Sequence, residues 1–551
     1  MPVSPPRRPL VAPLRGTAVA LVLLSLGACS ADPESTSGGA NETTSAELVS
    51  SLPAAKGEVE QITWNLSGEP DTLFPSNAAT YGGGQVVGNL CDALLKTDAE
   101  FGLTPQLATY EQVDPRTLVY KIRDGVKFWN GDPLTAEDVA YSMNRAKDPS
   151  SIVSFIYQNV ESIKAAGDKV TVKFSTPDAL FNNEMASIAG MVIQKAHAER
   201  AGKNLGTPGG GVMCSGPFKL ESWRSGDSIA LSRNDSYWNP ERRALAKSVK
   251  FTFVSDSTAL TQALNAGEID GAYEISPSAV PALRSSKAGR LVFGPSMQST
   301  GMAVARPDGP LDNIKLRQAL QTIIDREALA KVVFNGAATP TYTSLSTTTW
   351  PNDQKQIYQA AYQPFVKERS FDIAKAKALV TQSGYQGQEL VLAIKGGDDS
   401  GSRTAQLVQQ QAKQAGINIK INPLTPLAFD QAAYDATKRE GIDLLLSSSF
   451  NVAQDPLEPM GFNLLPGQPY NYTDYDNAEV TKLLTEARQT FDPVKRAKLI
   501  IAVQEISEPD SALIPLIENS TITFLNHRLT GAITSFAYWS MPQMAFIGTA
   551  G

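Results

Sequence analysis

Polar and apolar residues alternate along several short stretches of the chain, which predicts half-buried β-strands. The stretches are residues 61–66, 118–122, 169–174 and 247–254. Each is five to eight residues long, the usual length of a strand in a globular protein. The strands predicted here are therefore short and separated by long intervals of other structure.

Between these strands, apolar residues recur at helical spacing after residues that favour a helix start. Thr135 followed by Asp138 matches a capping box, and an apolar stripe begins directly after it. Asp312, Asp372 and Asp492 precede three further apolar-striped stretches. Strands and helices that alternate irregularly over about 490 residues predict an α/β protein.

Length and charge restrict the choice further. The chain has 551 residues, which exceeds the size at which a single core keeps growing, so two or more lobes are expected. The formal net charge is -7. A general nucleic-acid binder would need a basic surface, so this class is disfavoured and nucleic acid is not an expected partner.

The first thirty residues have the layout of an export signal. Arg7, Arg8 and Arg15 precede an apolar run over residues 17–28, which is too short to cross a bilayer of about 30 Å. The run ends at Cys29 in the sequence Leu-Gly-Ala-Cys, which resembles the bacterial lipobox. We expect a signal peptide at residues 1–28 and lipidation of Cys29. An uncleaved anchor helix and an ordinary signal with a chance cysteine are the alternatives.

Residues 29–57 are rich in Ser, Thr, Gly, Ala and Glu and have no large apolar face. Such a segment buries too little surface to offset its ordering entropy, which predicts a flexible tether. A mere remnant of the export region is the alternative.

Removal of Cys29 from consideration leaves a pair of cysteines, Cys91 and Cys214. In an exported protein an even pair is a candidate disulfide. Two buried free thiols are the alternative.

The chain lacks the common catalytic motifs. We find no G-x-S-x-G elbow, no H-E-x-x-H and no phosphate-binding P-loop. His197 and His527, the two histidines, are far apart in the sequence. An enzyme, a cofactor and a histidine-based metal site are therefore not expected.

Residues 121–149, reading KIRDGVKFWNGDPLTAEDVAYSMNRAKDP, strongly resemble the signature of family 5 extracellular solute-binding proteins. These are the peptide-, dipeptide- and nickel-binding components of ABC importers. Further stretches resemble the family in the same order: residues 68–77, 214–220, 264–273, 312–336, 371–385 and 495–516. The resemblance covers nearly all of residues 58–551.

The resemblance implies a two-lobe periplasmic-binding-protein-like fold (type II, cluster C). Lobe I is expected at residues 58–300 and 517–551, with an extra subdomain at 87–215, and lobe II at 301–516. Ligand would close the lobes by a shift of population.

The implied function is capture of short peptides for an ABC permease and its ATPase subunits. We expect a monomer, held by its lipid on the outer face of the cell membrane. A nickel chelate, a glycoside or another small polar solute is the alternative within this fold. A secreted hydrolase and a sensor or chaperone are alternatives from other classes.

The resemblance also suggests ligand-binding residues. In peptide-binding relatives an Asp holds the amino terminus of the peptide, and that position falls on Val452, which puts free-amine recognition in doubt. Asp455 could compensate or could shape the loop. Lys395, or else Arg403, would face the carboxylate. The remaining expected residues are Ala79, Thr80, Tyr81 and Gly82 at the cleft edge, Phe450 and Asn451 in the loop, and Tyr342 and Trp539 as aromatic walls or core residues.

Overall fold

The computed structural model describes residues 47–468, 470–510 and 512–551. Its strands are β1 (Val59–Asn65), β2 (Leu95–Thr97), β3 (Leu103–Pro105), β4 (Ala108–Asp114), β5 (Thr117–Ile122), β6 (Val160–Ala166), β7 (Lys169–Phe174), β8 (Phe218–Arg224), β9 (Ser228–Arg233), β10 (Ala246–Thr252), β11 (Gly271–Ala272), β12 (Gly289–Val304), β13 (Ala338–Pro340), β14 (Leu390–Lys395), β15 (Ile419–Leu424), β16 (Leu444–Phe450), β17 (Leu513–Asn526), β18 (Leu529–Thr530) and β19 (Gly548–Thr549).

The helices are α1 (Tyr81–Leu90), α2 (Ala136–Lys147), α3 (Phe181–Glu184), α4 (Lys195–Ala201), α5 (Ser257–Ala266), α6 (Val280–Arg284), α7 (Ile314–Ile323), α8 (Arg326–Val332), α9 (Lys355–Glu368), α10 (Ile373–Ser383), α11 (Asp399–Gln414), α12 (Pro426–Tyr434), α13 (Leu457–Leu464), α14 (Ala478–Gln489) and α15 (Pro493–Ser507). The predicted α/β class is confirmed, and each of the four predicted strands is present with ends shifted by at most two residues.

The helix starts follow the predicted capping chemistry with one exception. Thr135 and Asp138 form the capping box of α2, and Asp372 and Asp492 cap α10 and α15 through the backbone N–H groups of Lys375 and Lys495. The prediction that Asp312 caps the helix that follows it, α7, was wrong by one residue. Asn313 caps α7 instead, because its side chain accepts from the backbone N–H of Lys315 at 2.9 Å.

The main sheet depends on two long strands. Its order is β15-β14-β16-β12-β17-β11-β1-β10-β9-β8, with β13 added beside β17. Strands β12 and β17 have 16 and 14 residues and pair antiparallel from Gly289 opposite Asn526 to Ala303 opposite Leu513. One part of this pair borders β11, and the other part borders β16. The sheet therefore passes from one half to the other through β12 and β17.

Separate hydrophobic cores lie along this sheet. The first core is drawn from residues 59–297 and 525–547. The second core is drawn from residues 302–517. A third core joins residues 345–503 to Leu180. The predicted lobe limits stay a prediction.

Residues 87–215 include a four-stranded antiparallel sheet of order β4-β5-β7-β6, with α2 packed against it. Cys91, which follows α1 directly, is bonded to Cys214, and their Cα atoms are 4.9 Å apart. Beside this bond, the buried carboxylate of Asp92 accepts hydrogen bonds from Gln106, Ser215, Tyr237 and Trp238 at 2.6–2.9 Å. The disulfide and this carboxylate together connect the beginning and end of residues 87–215.

The described part of the predicted tether is hydrogen-bonded to the folded body. Leu48 bridges Phe293 of β12, and Gly57 bridges Thr549 of β19. Between them, Ser50 and Pro53 accept hydrogen bonds from Thr534 and Thr530. Residues 48–57 therefore belong to the folded body, which corrects the predicted extent of the tether, because backbone pairing offsets the entropy that the composition alone suggested. The signal peptide, Cys29 and the rest of the tether lie outside the described residues.

Removal of the disulfide by the double substitution Cys91→Ala and Cys214→Ala should lower the free energy of unfolding by about 2–5 kcal/mol, because the unfolded chain regains the freedom of a long loop. Urea unfolding followed by fluorescence measures the change, and wild type in reducing agent should match the double variant. An unchanged midpoint of unfolding would contradict a stabilising role for the bond.

Candidate functional site

An aromatic cluster lies where the two halves of the main sheet meet. Phe450 ends β16, and its ring centroid is 5.2 Å from Tyr81, 5.3 Å from Phe536 and 5.1 Å from Trp539. Tyr81 begins α1, whereas Phe536 and Trp539 belong to the chain after β18. The cluster therefore brings together three distant parts of the sequence, and edge and tilted contacts of this kind are favourable between aromatic rings.

The start of α1 holds two members of this cluster in place. Thr80 caps the helix by accepting from the backbone N–H of Gly83 at 3.0 Å, and its carbonyl accepts from Trp539 Nε1 at 3.2 Å. A Cβ atom on Gly84 would overlap the Trp539 ring. Glycine is therefore required at this position because the indole lies directly on the helix backbone.

A carboxyl group lies beneath the aromatic cluster. Glu274 accepts hydrogen bonds from the Tyr538 hydroxyl and, at 3.1 Å, from Gln298 Nε2. Its backbone has φ of 54°, a left-handed conformation that is uncommon for a residue other than glycine. Burial raises the pKa of Glu274, although both hydrogen bonds act against the shift. Burial, and to a lesser extent the Glu274 charge, also raises the pKa of Tyr81.

Strand β16 carries an unpaired edge beside this cluster. On one side it pairs with β12 over its whole length, whereas on the other side it pairs with β14 only at Leu444 and Leu445. Ser447, Ser448 and Ser449 are exposed. Among the described residues, the free side of 446–450 has no strand partner, and successive backbone groups of a strand point to alternate sides. Some N–H and C=O groups here are therefore open to another chain.

The loop after β16 is held from within the protein. The backbone N–H of Asn451 donates to Met297 at 3.1 Å, and Val452 packs against the first core. Asp455 is buried, lies 3.1 Å from Arg496 and accepts from the backbone N–H of Leu457 at 2.9 Å. Asp455 thus shapes the loop and the start of α13, the second of the two roles considered from sequence.

The two cations predicted for the ligand carboxylate have partners elsewhere. Lys395 forms an ion pair with Asp430 at 3.1 Å on the surface. Arg403 lies in α11 and donates to the Val332 carbonyl at 3.5 Å. In the described chain neither Lys395 nor Arg403 contacts the aromatic cluster. Their assignment to a ligand carboxylate stays a prediction.

Tyr342 packs as a core residue, the second of the two roles considered from sequence, and not as a wall of the aromatic cluster. The Arg326 guanidinium lies 5.0 Å from its ring centroid, and its backbone N–H donates to the Tyr362 hydroxyl at 3.0 Å. Its ring packs against the third core. The structure thus brings Thr80, Tyr81, Phe450 and Trp539 together, but not Tyr342.

Sequence reasoning missed several residues of this region. Phe536 and Glu274 join it only through the fold, because they are distant in sequence from α1 and β16. The run Ser447–Ser449 carried a signal, because three polar residues continue directly from the apolar stretch Leu444–Leu446, although a free strand edge also requires β14 to stop early.

The chain matches the model of the bacterial extracellular solute-binding proteins, family 5, over residues 102–471. It belongs to this family. The glutathione-binding protein GsiB of Escherichia coli K12 is 28% identical over 508 residues, covering 90% of this chain and 94% of GsiB. The resemblance to family 5 that the motifs indicated is therefore confirmed.

Two solved structures show the same fold at low sequence identity. DppA from Helicobacter pylori, in complex with the peptide STSA, has a TM-score of 0.76 at 18% identity, covering 90% of this chain and 99% of DppA. NikA from Staphylococcus aureus, in complex with Ni(L-His)2, has a TM-score of 0.72 at 19% identity, covering 89% of this chain and all of NikA.

This family 5 protein is a substrate-binding component of an ABC transporter rather than an enzyme, since that is the role of the family. Its family places it outside the cytoplasmic membrane. Two negative findings apply to residues 47–551 apart from Pro469 and Ser511: no helix is long and apolar enough to span a bilayer, and no group of three or more His, Cys, Asp or Glu side chains forms a metal site.

Substitution Gly84→Ala should displace the Trp539 ring and lower the free energy of unfolding by about 1–3 kcal/mol, because the added methyl overpacks the cluster. Thermal unfolding and the tryptophan emission spectrum measure the two effects. Gly68→Ala is the matched control, since a Cβ atom there meets no atom within 4 Å. Equal effects of the two substitutions would refute the packing argument.

Proposed function

We propose that the protein captures short peptides, which bind as an added strand along the free edge of β16. The observation that carries this proposal is the unpaired edge at residues 446–450, next to the aromatic cluster. A peptide that adds to such an edge is held by main-chain hydrogen bonds, which do not depend on its side chains. An importer of mixed peptides needs this kind of tolerance.

The neighbourhood of the edge supports a peptide in two further ways. Phe450 and Tyr81 are partly exposed and offer an apolar surface at one end of the edge, whereas Phe536 and Trp539 are buried. Val452 offers no charge for a free amine where peptide-binding relatives are expected to have an Asp, so main-chain contacts take a larger share of the affinity. Glutathione, named for GsiB, is a short peptide.

The alternative solute is a nickel chelate, and the similarity to NikA is the observation that favours it. At 19% identity that similarity carries the fold alone. The scarcity of histidine weakens direct ligation of nickel, because His197 and His527 are the two histidines of the chain.

Short peptides should bind saturably, and N-methylation of one central amide of a bound peptide should weaken binding about three- to tenfold. The reason is that methylation removes one main-chain donor, worth about 0.5–1.5 kcal/mol. Isothermal titration calorimetry measures both affinities, starting from peptides that raise the melting temperature in a thermal-shift screen.

The matched control is the same peptide with its extra methyl group on a side-chain carbon. Ni(L-His)2 and a panel of glycosides form the other arms of the screen. Saturable binding of the chelate or a glycoside, together with no binding of any peptide, would refute the peptide proposal and favour the alternative.

We also propose that the mature protein is held at the outer face of the membrane by a lipid on Cys29, from which it delivers its solute to an ABC permease coupled to ATPase subunits. The lipobox-like sequence before Cys29 supports this anchor. A multiply acylated cysteine gives stable attachment because two chains are needed for firm membrane binding. The pairing of residues 48–57 with the body leaves fewer than twenty residues as a tether.

Substitution Cys29→Ser should release the protein from the membrane fraction into the medium or periplasm, because the acyl acceptor is lost. Fractionation of cells, with incorporation of labelled palmitate into the wild type as the positive signal, measures this. Ser30→Ala is the control and should stay on the membrane. Retention of the Cys29→Ser variant on the membrane would show that a different anchor operates.

A further inference from the structure

A short segment of the predicted extra subdomain is inserted into the third core. Leu180 is fully buried there, among residues of 345–503. The backbone N–H of Ala179 donates to the Arg488 carbonyl at 2.8 Å, and the Asp178 carboxylate lies 3.0 Å from Arg488 Nη1. Residues 178–184 thus form an interface with α13, α14 and the loop before them, which we call the acidic interface.

The acidic interface buries more carboxyl groups than cations. The exposed fractions of Asp178, Glu184, Asp455 and Glu458 are 3%, 1%, 1% and 6%. Arg488 and Arg496 are the cations that contact them. Four ionised carboxylates against two guanidinium groups would leave two uncompensated charges out of contact with water, which is strongly unfavourable.

The ion pairs and hydrogen bonds show which two carboxyl groups have no positive charge beside them. Asp178 contacts Arg488 and accepts from Asn159 at 2.8 Å, as well as from the backbone N–H groups of Leu180 and Phe181. Asp455 has Arg496 beside it. Glu184, Glu458 and Asp455 each have one buried oxygen without a hydrogen-bond partner in the described chain. Only Asp455 has a guanidinium beside that oxygen, whereas neither glutamate forms an ion pair among the described residues.

Burial accordingly raises the pKa of both groups. Burial raises the pKa of Glu458 to about 7, against hydrogen bonds from the backbone of Ala453 and Val452 and the Arg488 charge. Burial also raises the pKa of Glu184 well above its usual value, and the neighbouring carboxylates add to the rise while Arg488 opposes it. The titratable and charged groups that face the pair are Asp178, Asp455, Arg488, Tyr157 and Tyr470, and Arg496 and Tyr358 lie beside Asp455.

We propose that docking of residues 178–184 against α13 and α14 takes up protons at Glu184 and Glu458, so that the closed form of the protein gains population as the pH falls. The inference rests on the proposed function, together with the closure of two lobes over a solute that the family resemblance implies. Separation of the interface would return water to both carboxyls, which then ionise with ordinary affinity for protons.

The sign follows from proton linkage. The closed form holds protons that the open form releases, so closure is favoured below the closed-state pKa and loses that advantage as the pH rises through it. With a pKa of about 7 for Glu458 in the closed form and about 4.3 in the open form, the closing equilibrium should fall about eightfold between pH 6.0 and pH 7.5. Glu184 adds to this change.

Hydrogen exchange at the Ala179 amide tests the proposal without any solute, because this amide donates across the interface. After correction for the intrinsic exchange rate, its protection in the wild type should fall about eightfold or more between pH 6.0 and pH 7.5. Amides of β10 serve as the reference for global unfolding. Protection at Ala179 that changes less than twofold, or only in parallel with β10, would overturn the proposal.

Glutamine imitates the protonated carboxyl, so Glu458→Gln and Glu184→Gln should each reduce the pH dependence at Ala179, and the double variant should be nearly independent of pH. Glu505→Gln on the exposed face of α15 is the matched control and should retain the wild-type profile. A double variant with the full wild-type pH dependence would also overturn the proposal.

A bound solute extends the test to the proposed function. A peptide that binds the closed form should raise the protection of the Ala179 amide at both pH values, by a factor that grows with peptide concentration, and the pH dependence should remain. If no peptide raises this protection, capture by closure is refuted, while the exchange data without solute still decide the proton linkage. If a peptide raises the protection of an amide whose protection does not depend on pH, the linkage is refuted and peptide capture stands.

Discussion

The antiparallel pairing of β12 with β17 is the constraint on which the remaining architecture depends. Each strand continues from the part of the sheet that borders β11 into the part that borders β16. Register shifts interrupt the pair between Gly294 and Gln298 and again at Thr300, and irregularities of this kind bend strands locally. Any rotation of one half of the sheet against the other must therefore bend this pair. The aromatic cluster lies beside the first register shift, because Phe450 is paired with Gln298.

Polar side chains line the sheet between the apolar cores. Thr300 contacts Ser448 and Asn519, and the buried Glu518 accepts hydrogen bonds from Ser346 and Thr347. Burial raises the pKa of Glu518, although these hydrogen bonds oppose the shift. Such a seam cannot be filled by apolar packing, because each buried polar group needs a hydrogen-bond partner.

Residues 87–215, which are predicted to form a subdomain, contact the rest of the protein in two different ways. Near the disulfide, neutral donors from Gln106, Tyr237 and Trp238 hydrogen-bond to the buried Asp92. At residues 178–184 the contact with the third core is instead made through ion pairs and through Glu184 and Glu458, each of which has one buried oxygen without a hydrogen-bond partner in the described chain. The first contact is held by hydrogen bonds from neutral groups. The second buries carboxyl groups whose protonation depends on exclusion of water, and the proposed proton linkage is therefore placed at the acidic interface.

Local sequence alone determined the strands β1, β5, β7 and β10, the caps of α2, α10 and α15 and, through its motifs, the family, because periodicity and capping involve neighbouring residues. The residues predicted for ligand binding come together only in part: Tyr81, Phe450 and Trp539 share the aromatic cluster, whereas Lys395, Arg403 and Tyr342 have other partners in the fold. Their role in binding stays a prediction. Tertiary structure decided the free edge of β16, the place of Glu274 and the packing of residues 48–57. Each of these features depends on where a strand distant in sequence ends or with which segment it pairs, and a local sequence pattern does not encode such contacts.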